Sequence, residues 1–305
     1  MSGSQGEDGV GGWVAAFSGS TVRYRRRLAV DGVTLKVSRG QVYALLGRNG
    51  AGKSSLVRCL LGQQRLTAGR ALLFGEDAWA SRPRAMARVG VVPEESDLPP
   101  DLDADTLVAW CQRVYPRWDD ARVRQRLRRT GVPPRTPVNR LSRGQRTQLA
   151  LTLALGHGPE LLILDDPTLG LDAVARREVW DTLIGELADR GTTVFLATHD
   201  LAGVAGVADR VGILVEGRLA LDEEVDALRA RLRRRAAPAG APWQALAPMG
   251  ILSCQEALGG VEVVVERFDD ALLAAVGGGP LEVQALTLEE TFVAVTTGQA
   301  GGGAP

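Results

Sequence analysis

The chain has 305 residues, with 36 basic and 36 acidic side chains and no formal net charge. An apolar fraction of 45% excludes disorder of the chain as a whole, and zero net charge argues against a nucleic-acid partner. No apolar run approaches the roughly 20 residues needed to cross a bilayer. The opening MSGSQGEDGVGG lacks the basic-then-apolar order of a secretory signal. Three widely spaced cysteines, Cys59, Cys111 and Cys254, suit reduced thiols in a cytosolic protein.

Residues 1–12 are rich in Gly and Ser and read as a flexible tail. From Trp13 to about Pro93, short apolar runs alternate with Gly and polar turns. Val33–Val37 alternates as a half-buried strand should. Val42–Leu46 is a continuous apolar run, the pattern of a strand buried on both faces. Ser54–Leu61 reads as a helix stopped at Gly62, and Ala71–Phe74 and Val89–Val92 as further strands. Between about 94 and 156 the texture becomes helical. Thr106–Val114, Asp119–Arg129 and Ser142–Leu155 carry helical spacing, so this region is predicted as an insert. Alternation then resumes: strand Leu161–Leu164, helix Ala173–Leu187, strand Thr193–Ala197, helix Leu201–Ala208 and strand Val211–Val215. Such alternation predicts an α/β fold with a mostly parallel sheet. The main domain is therefore placed at 13–228. The stretch 229–242, basic and then rich in Pro, Ala and Gly, reads as a linker. A small C-terminal domain follows over 243–297, with strand Val261–Val265 and a last helix over Leu288–Val295. Residues 298–305 form a second Gly-rich tail.

Gly47-Arg48-Asn49-Gly50-Ala51-Gly52-Lys53-Ser54 fits GxxxxGK[ST] in full. The glycines let backbone N–H groups close around phosphate oxygens, at a helix N-terminus whose dipole favours anions. Lys53 can reach the β- and γ-phosphates, Ser54 can ligate Mg²⁺, and Ser55 follows beside them. Only two of the 36 basic residues are lysines, and one fills the critical slot of the motif. A second apolar strand runs into Asp165-Asp166-Pro167. It delivers Asp165 to the sheet edge, where a carboxylate holds a metal ion, and Asp166 next to it can polarise an attacking water. Leu141-Ser142-Arg143-Gly144-Gln145 opens a helix, with Ser142 suited to the N-cap.

With these motifs in this order, residues 13–225 resemble the nucleotide-binding subunit of an ATP-binding cassette (ABC) transporter. The fold implied is a P-loop NTPase core with an N-terminal antiparallel β part, a helical insert and a small C-terminal α+β appendage. Leu141–Gln145 is similar to the family signature LSGGQ, with Arg143 in place of a glycine. Gly170-Leu171-Asp172 resembles the D-loop, and Thr198-His199-Asp200 the switch-histidine segment. The resemblance implies ATP and Mg²⁺ bound by Gly47–Ser55, with Lys53, Asp166 and His199 catalytic. Ser54, Asp165 and Glu94 would sit at the metal, and Ser142, Gly144 and Gln145 at a nucleotide held by a second copy in a head-to-tail dimer. Tyr24 stands where the family stacks an aromatic ring on adenine; an ordinary strand-edge tyrosine is the alternative. Two positions depart from the family pattern. Asp166 replaces the usual Glu and is one methylene shorter, and Glu94 replaces a Gln; it reads either as an anionic metal ligand or as a solvated loop carboxylate. The ending Leu288-Glu289-Glu290-Thr291-Phe292 resembles the tail of bacterial subunits encoded apart from their membrane subunits, often exporters. The expectation is an ATPase at the inner face of the cell membrane, powering an integral membrane permease. A hydrolysis-poor sensing subunit and a soluble ABC ATPase acting on nucleic acid or the ribosome are the alternatives.

Overall fold

The structure, a computed structural model, describes residues 12–238, 250–257, 260–265 and 283–298. Apart from Gly12 and Gly298, both expected tails lie outside these residues, as do 239–242 of the expected linker and much of 243–297.

Two sheets make up the larger part of the molecule. Strands β1 (Trp13–Tyr24), β2 (Arg27–Ser38), β4 (Ala68–Leu73) and β5 (Glu76–Asp77) form an antiparallel sheet in the order β2-β1-β4-β5. Strands β3 (Val42–Gly47), β6 (Val89–Val92), β7 (Leu161–Asp165), β8 (Thr193–Thr198), β9 (Arg210–Val215) and β10 (Arg218–Glu224) form a second sheet, ordered β10-β9-β3-β8-β7-β6. All its neighbours are parallel except β10, which pairs antiparallel with β9 at the edge. Every residue of β3, β7 and β8 is buried, as their unbroken apolar runs require. The period of two sorts these side chains between two cores. Tyr43, Leu45, Ile163 and Phe195 meet the antiparallel sheet and α1 (Lys53–Leu60). Ala44, Leu46, Leu162, Leu164 and Leu196 meet the helices of the other face.

The parallel register fixes the functional edge. Leu46 pairs with Thr198 and Asp165 with Ala197, so β3, β7 and β8 end level with one another. The loop after Gly47, Asp166 and His199 therefore emerge together at the carboxyl ends of the strands, where open α/β sheets bind ligands.

After α2 (Arg82–Met86) and β6, the helical insert is present as expected. It comprises α3 (Ala104–Val114), α4 (Asp120–Arg129), a short 3₁₀ turn and α5 (Arg143–Leu155). Asp103 and Asp119 cap α3 and α4 through the N–H groups of Thr106 and Arg122. Leu107, Val108, Val123, Leu127, Leu149 and Leu153 form the insert's own core. Charges fasten α4 to α6 (Ala173–Arg190): Glu186 accepts from Arg122 at 3.2 Å and from the buried Arg126, and Arg190 donates to Asp119 at 3.0 Å. Burial, aided by the neighbouring Arg122, Arg129 and Arg190, lowers the Arg126 pKa to about 10.

Several boundaries differ from the sequence reading. α6 continues to Arg190, because Gly191 supplies the left-handed residue (φ 59°) that stops it, and α7 ends early, at Leu201–Val204. The described part of the expected linker 229–242 is not a free connection. Its first residues finish α8 (Val225–Arg231), and β11 (Arg233–Pro238) pairs antiparallel with β13 (Gly260–Val265) and β14 (Val283–Ala285). With β12 (Ile251–Ala257) these strands form a third sheet, β12-β13-β11-β14. A basic, Pro-ended stretch has linker composition, but its backbone is satisfied here by the Val-rich strand beside it. The last helix, α9 (Leu288–Gly298), packs on β12, α7 and β9.

Candidate functional site

The loop from Gly47 to Gly52 turns β3 into α1. Gly50 and Gly52 have φ of 82° and 112°, backbone that only glycine adopts without strain. A Cβ on Gly52 would stand 2.4 Å from the Ala29 carbonyl oxygen, and one on Gly47 would stand 2.8 Å from that of Leu214. Gly52→Ala is therefore expected to lower stability by about 2 kcal/mol, read as a fall in the denaturation midpoint.

At the start of α1, Lys53 is only 5% exposed. Its Nζ donates to the Gly47 carbonyl at 2.7 Å and lies 3.9 Å from Asp166 Oδ2. Burial pulls its pKa down, and the carboxylates of Asp166, Asp165 and Glu94 oppose that shift. Ser54 Oγ donates to Asp165 Oδ1 at 3.3 Å, joining the ends of β7 and the loop. Burial raises the Asp165 pKa to about 6; Asp166 and Glu94 add to the rise, against Ser54 and Lys53. Because the folded state holds this proton more tightly than the unfolded chain, stability falls as pH rises from about 4 through about 6. Asp165→Asn is accordingly expected to stabilise the nucleotide-free protein at pH 7.5 by about 1–3 kcal/mol, with no gain below about pH 4. Urea denaturation at the two pH values checks this.

Asp166 is buried and left-handed, with φ 44°. Its N–H donates to Ala197 at 2.7 Å. Its Oδ1 accepts the His199 backbone N–H at 3.0 Å and lies 2.8 Å from His199 Nδ1. The next residue, Asp200, caps α7, accepts the Thr168 hydroxyl at 3.0 Å and lies 3.7 Å from Arg176 Nε.

A cavity of about 450 Å³ opens over this arrangement. Tyr24, Asn49, Gly50, Gly52, Lys53, Ser54, Ser55, Glu94 and Asp166, all candidate site residues of the sequence, are brought together in its lining. Tyr24 is 37% exposed, and its hydroxyl donates to Gln64 at 2.7 Å and sits 3.2 Å from Ser55 Oγ. Arg27, Ala29 and Arg58 also line the cavity and were not expected. Arg58 is four residues after Ser54, one helical turn, a spacing that could have found it. Arg27 arrives from the hairpin after β1 and donates to the Gly50 carbonyl at 3.3 Å; no local pattern marks it.

Gly47, Asp165 and His199 adjoin this cavity through their contacts with Lys53, Ser54 and Asp166 without lining it, and Ser142, Gly144 and Gln145, expected at a second copy's nucleotide, lie away from it. Ser142 and Gln145 cap their own helix reciprocally, at 3.1 and 3.0 Å. Gly144 lies against α6, where a Cβ would meet that of Ala175 at 2.9 Å. Arg48 and Ala51 face a separate cavity on the other side of the loop.

A glycine-rich loop on the central parallel strand β3, a buried lysine over it and a carboxylate pair at the end of β7, with only β8 between the two strands, define a P-loop nucleotide-binding cassette. The family model "ABC transporter" matches residues 30–169. The bacitracin transport ATP-binding protein BcrA of Bacillus licheniformis is 32% identical over 216 residues, 70% of this chain and 71% of that one. The daunorubicin resistance ATP-binding protein DrrA3 of Streptomyces coeruleorubidus is 36% identical over 220 residues, covering 70% and 68%. Among solved structures, cbiO1 of Clostridium perfringens, part of the ABC transporter complex cbiONQ, superposes with a TM-score of 0.62 at 27% identity. That match covers 72% of this chain and 91% of that one. The fold is also that of a dimeric post-hydrolysis cassette bound to ADP and Pi, with a TM-score of 0.63 at 20% identity, covering 69% and 98%. The chain belongs to the family of ABC transporter ATP-binding proteins, ATPases that power transport.

Proposed function

We propose that this chain binds MgATP in the 450 Å³ cavity, closes on a second copy in a head-to-tail dimer, and by hydrolysis drives export through a separate membrane subunit. The observation that carries the reading is the buried Lys53, held between the Gly47 carbonyl and the Asp165–Asp166 pair. Lys53 and the loop amides of Gly50–Ser55 grip the phosphates, and the Tyr24 ring closes the adenine end by stacking. Ser54 Oγ, Asp165 and Glu94 are hard oxygen donors, and the first two already meet at 3.3 Å, a set that fits Mg²⁺. The ion supplies charge neutralisation at the β- and γ-phosphates. Asp166 orients and deprotonates the attacking water, and His199, fixed to Asp166 at 2.8 Å, contacts the γ-phosphate.

In the dimer, the Ser142-headed α5 of one copy faces the γ-phosphate of the other, adding N–H donors and helix dipole that ADP engages less well. Closure thus reports ATP, and hydrolysis releases it. Coupling runs through the segment after β6. Glu94 lines the nucleotide cavity, while Pro93 and Ser96–Leu98 line an apolar groove of about 780 Å³ beside α3. Trp110 stands 61% exposed there. A cytoplasmic helix of the membrane subunit occupies that groove. No helix among the described residues is long and apolar enough to cross a membrane, and the chain acts as a peripheral subunit at the inner face. The names of the relatives above, bacitracin transport and daunorubicin resistance, favour export.

Calorimetry with MgATP tests the site: binding that Lys53→Ala weakens about 100-fold is expected, and binding indifferent to that change overturns the reading. Purification from solubilised membranes tests the partner: an integral membrane protein retained by wild type and released by Trp110→Glu is expected. A second reading, a hydrolysis-poor sensing subunit, is favoured by Asp166, whose short carboxylate is tethered to His199. Steady-state ATPase activity no higher than that of Lys53→Ala would select it.

A further inference from the structure

We infer that α9 is a positioning element of the ATP site, through which the C-terminal unit regulates nucleotide binding; this rests on the MgATP reading above. One face of α9, with Leu288, Thr291, Ala294 and Val295, is buried, and its apolar members join the core of the main sheet with Val204, Val211 and Ile213. Besides β12 of the third sheet, the helix touches two elements, and each of these leads to the site.

The first is α7, which starts directly after His199. Asp200 caps it and also holds Thr168, while the His199 N–H holds Asp166. The second is β9, whose end underlies the phosphate loop. The Leu214 carbonyl lies 2.8 Å from the Cβ position of Gly47, and the Leu214 side chain lies 3.4 Å from that of Gly52. In the turn after β9, Gly217 N–H donates to the Ala51 carbonyl at 3.0 Å. Beyond this turn, Thr296 of α9 forms a cavity of about 390 Å³ with Arg48–Ala51 and Glu216. Displacement of α9 therefore acts on the loop that carries Lys53 and on the segment that carries His199. The loop has little slack, because a single added carbon on Gly47 would already collide with β9 and one on Gly52 would touch it.

Thr296 gives a clean test. It is half-buried, and among the described residues its hydroxyl bonds within its own helix, to the carbonyls of Phe292 and Val293. Thr296→Trp fills the cavity and pushes on Arg48–Ala51, whereas Thr296→Val keeps the shape of threonine. The full-length variants are compared for MgATP affinity by calorimetry, for kcat and KM, and for melting temperature without nucleotide. Thr296→Trp is expected to weaken MgATP binding about 10-fold (about 1.4 kcal/mol) and to raise KM more than it lowers kcat. Its nucleotide-free melting temperature stays at the wild-type value, and Thr296→Val binds as wild type does. Wild-type affinity and turnover in Thr296→Trp overturns the inference alone, as does a loss of affinity matched by a loss of nucleotide-free stability. Failure of the wild-type chain to bind MgATP removes the ATP-site reading and this inference with it.

Discussion

Asp166→Asn is expected to cut ATP turnover about 1,000-fold, within the range that a positioned general base contributes, while leaving an ATP-loaded dimer in solution. The substitution is nearly isosteric, and its backbone cost is small: Asp166 has φ 44°, a left-handed conformation that Asn tolerates well. The amide oxygen can still accept the His199 N–H, now made by Asp166 Oδ1 at 3.0 Å. The basic carboxylate is lost. So is one of the three negative charges, Asp165, Asp166 and Glu94, that act on Lys53 at the phosphate end of the cavity. Binding of an anionic substrate is then held or improved while the chemical step fails, and the ATP-dependent closed state accumulates. Size-exclusion chromatography with MgATP, beside a single-turnover assay, checks both halves. An unchanged hydrolysis rate takes the water-activating role away from Asp166.

Removing the ammonium tests the other half of the site. Lys53→Ala is expected to weaken MgATP binding about 100-fold, the scale of a lost charge-assisted hydrogen bond, and to bring hydrolysis to background. The residue is 5% exposed, so water cannot replace its contacts cheaply. Its Nζ, 2.7 Å from the Gly47 carbonyl and 3.9 Å from Asp166 Oδ2, is the cation opposing the carboxylates at the cavity floor. Without it the Asp165 pKa, already raised to about 6 mainly by burial, loses a lowering influence. The variant's binding therefore recovers in part as pH falls toward 6, where protonation removes the uncompensated charge. Lys53→Arg does not restore wild-type affinity, because a planar guanidinium cannot occupy the pocket of a compact ammonium. Calorimetry at pH 6 and pH 8 measures both effects.

Much of the site was legible in order along the chain. The phosphate loop, the acidic end of β7 and the switch segment are local patterns in which spacing alone carries the chemistry. The apolar runs of β3, β7 and β8 announced a sheet buried on both faces. The capping box at Ser142 was legible in part: Ser142 was read as an N-cap, and its reciprocal bond with Gln145 follows from their spacing. The residues missed, Arg27 and Arg58, enter the cavity because a hairpin and a helix face converge there. The misread stretch, Arg233–Pro238, has linker composition yet forms a strand, since its partner lies some thirty residues away in β13.

By itself the sequence determined the α/β class, the phosphate-binding loop and the carboxylates beside it, because backbone conformation and strand burial are set over a few neighbouring residues. Only the tertiary structure decided that Asp166 is clasped by His199, that Lys53 comes within 3.9 Å of Asp166, and that α9 reaches the back of the phosphate loop. Those contacts depend on the register of parallel strands and on the packing of helices far apart in the chain, and no local pattern encodes either.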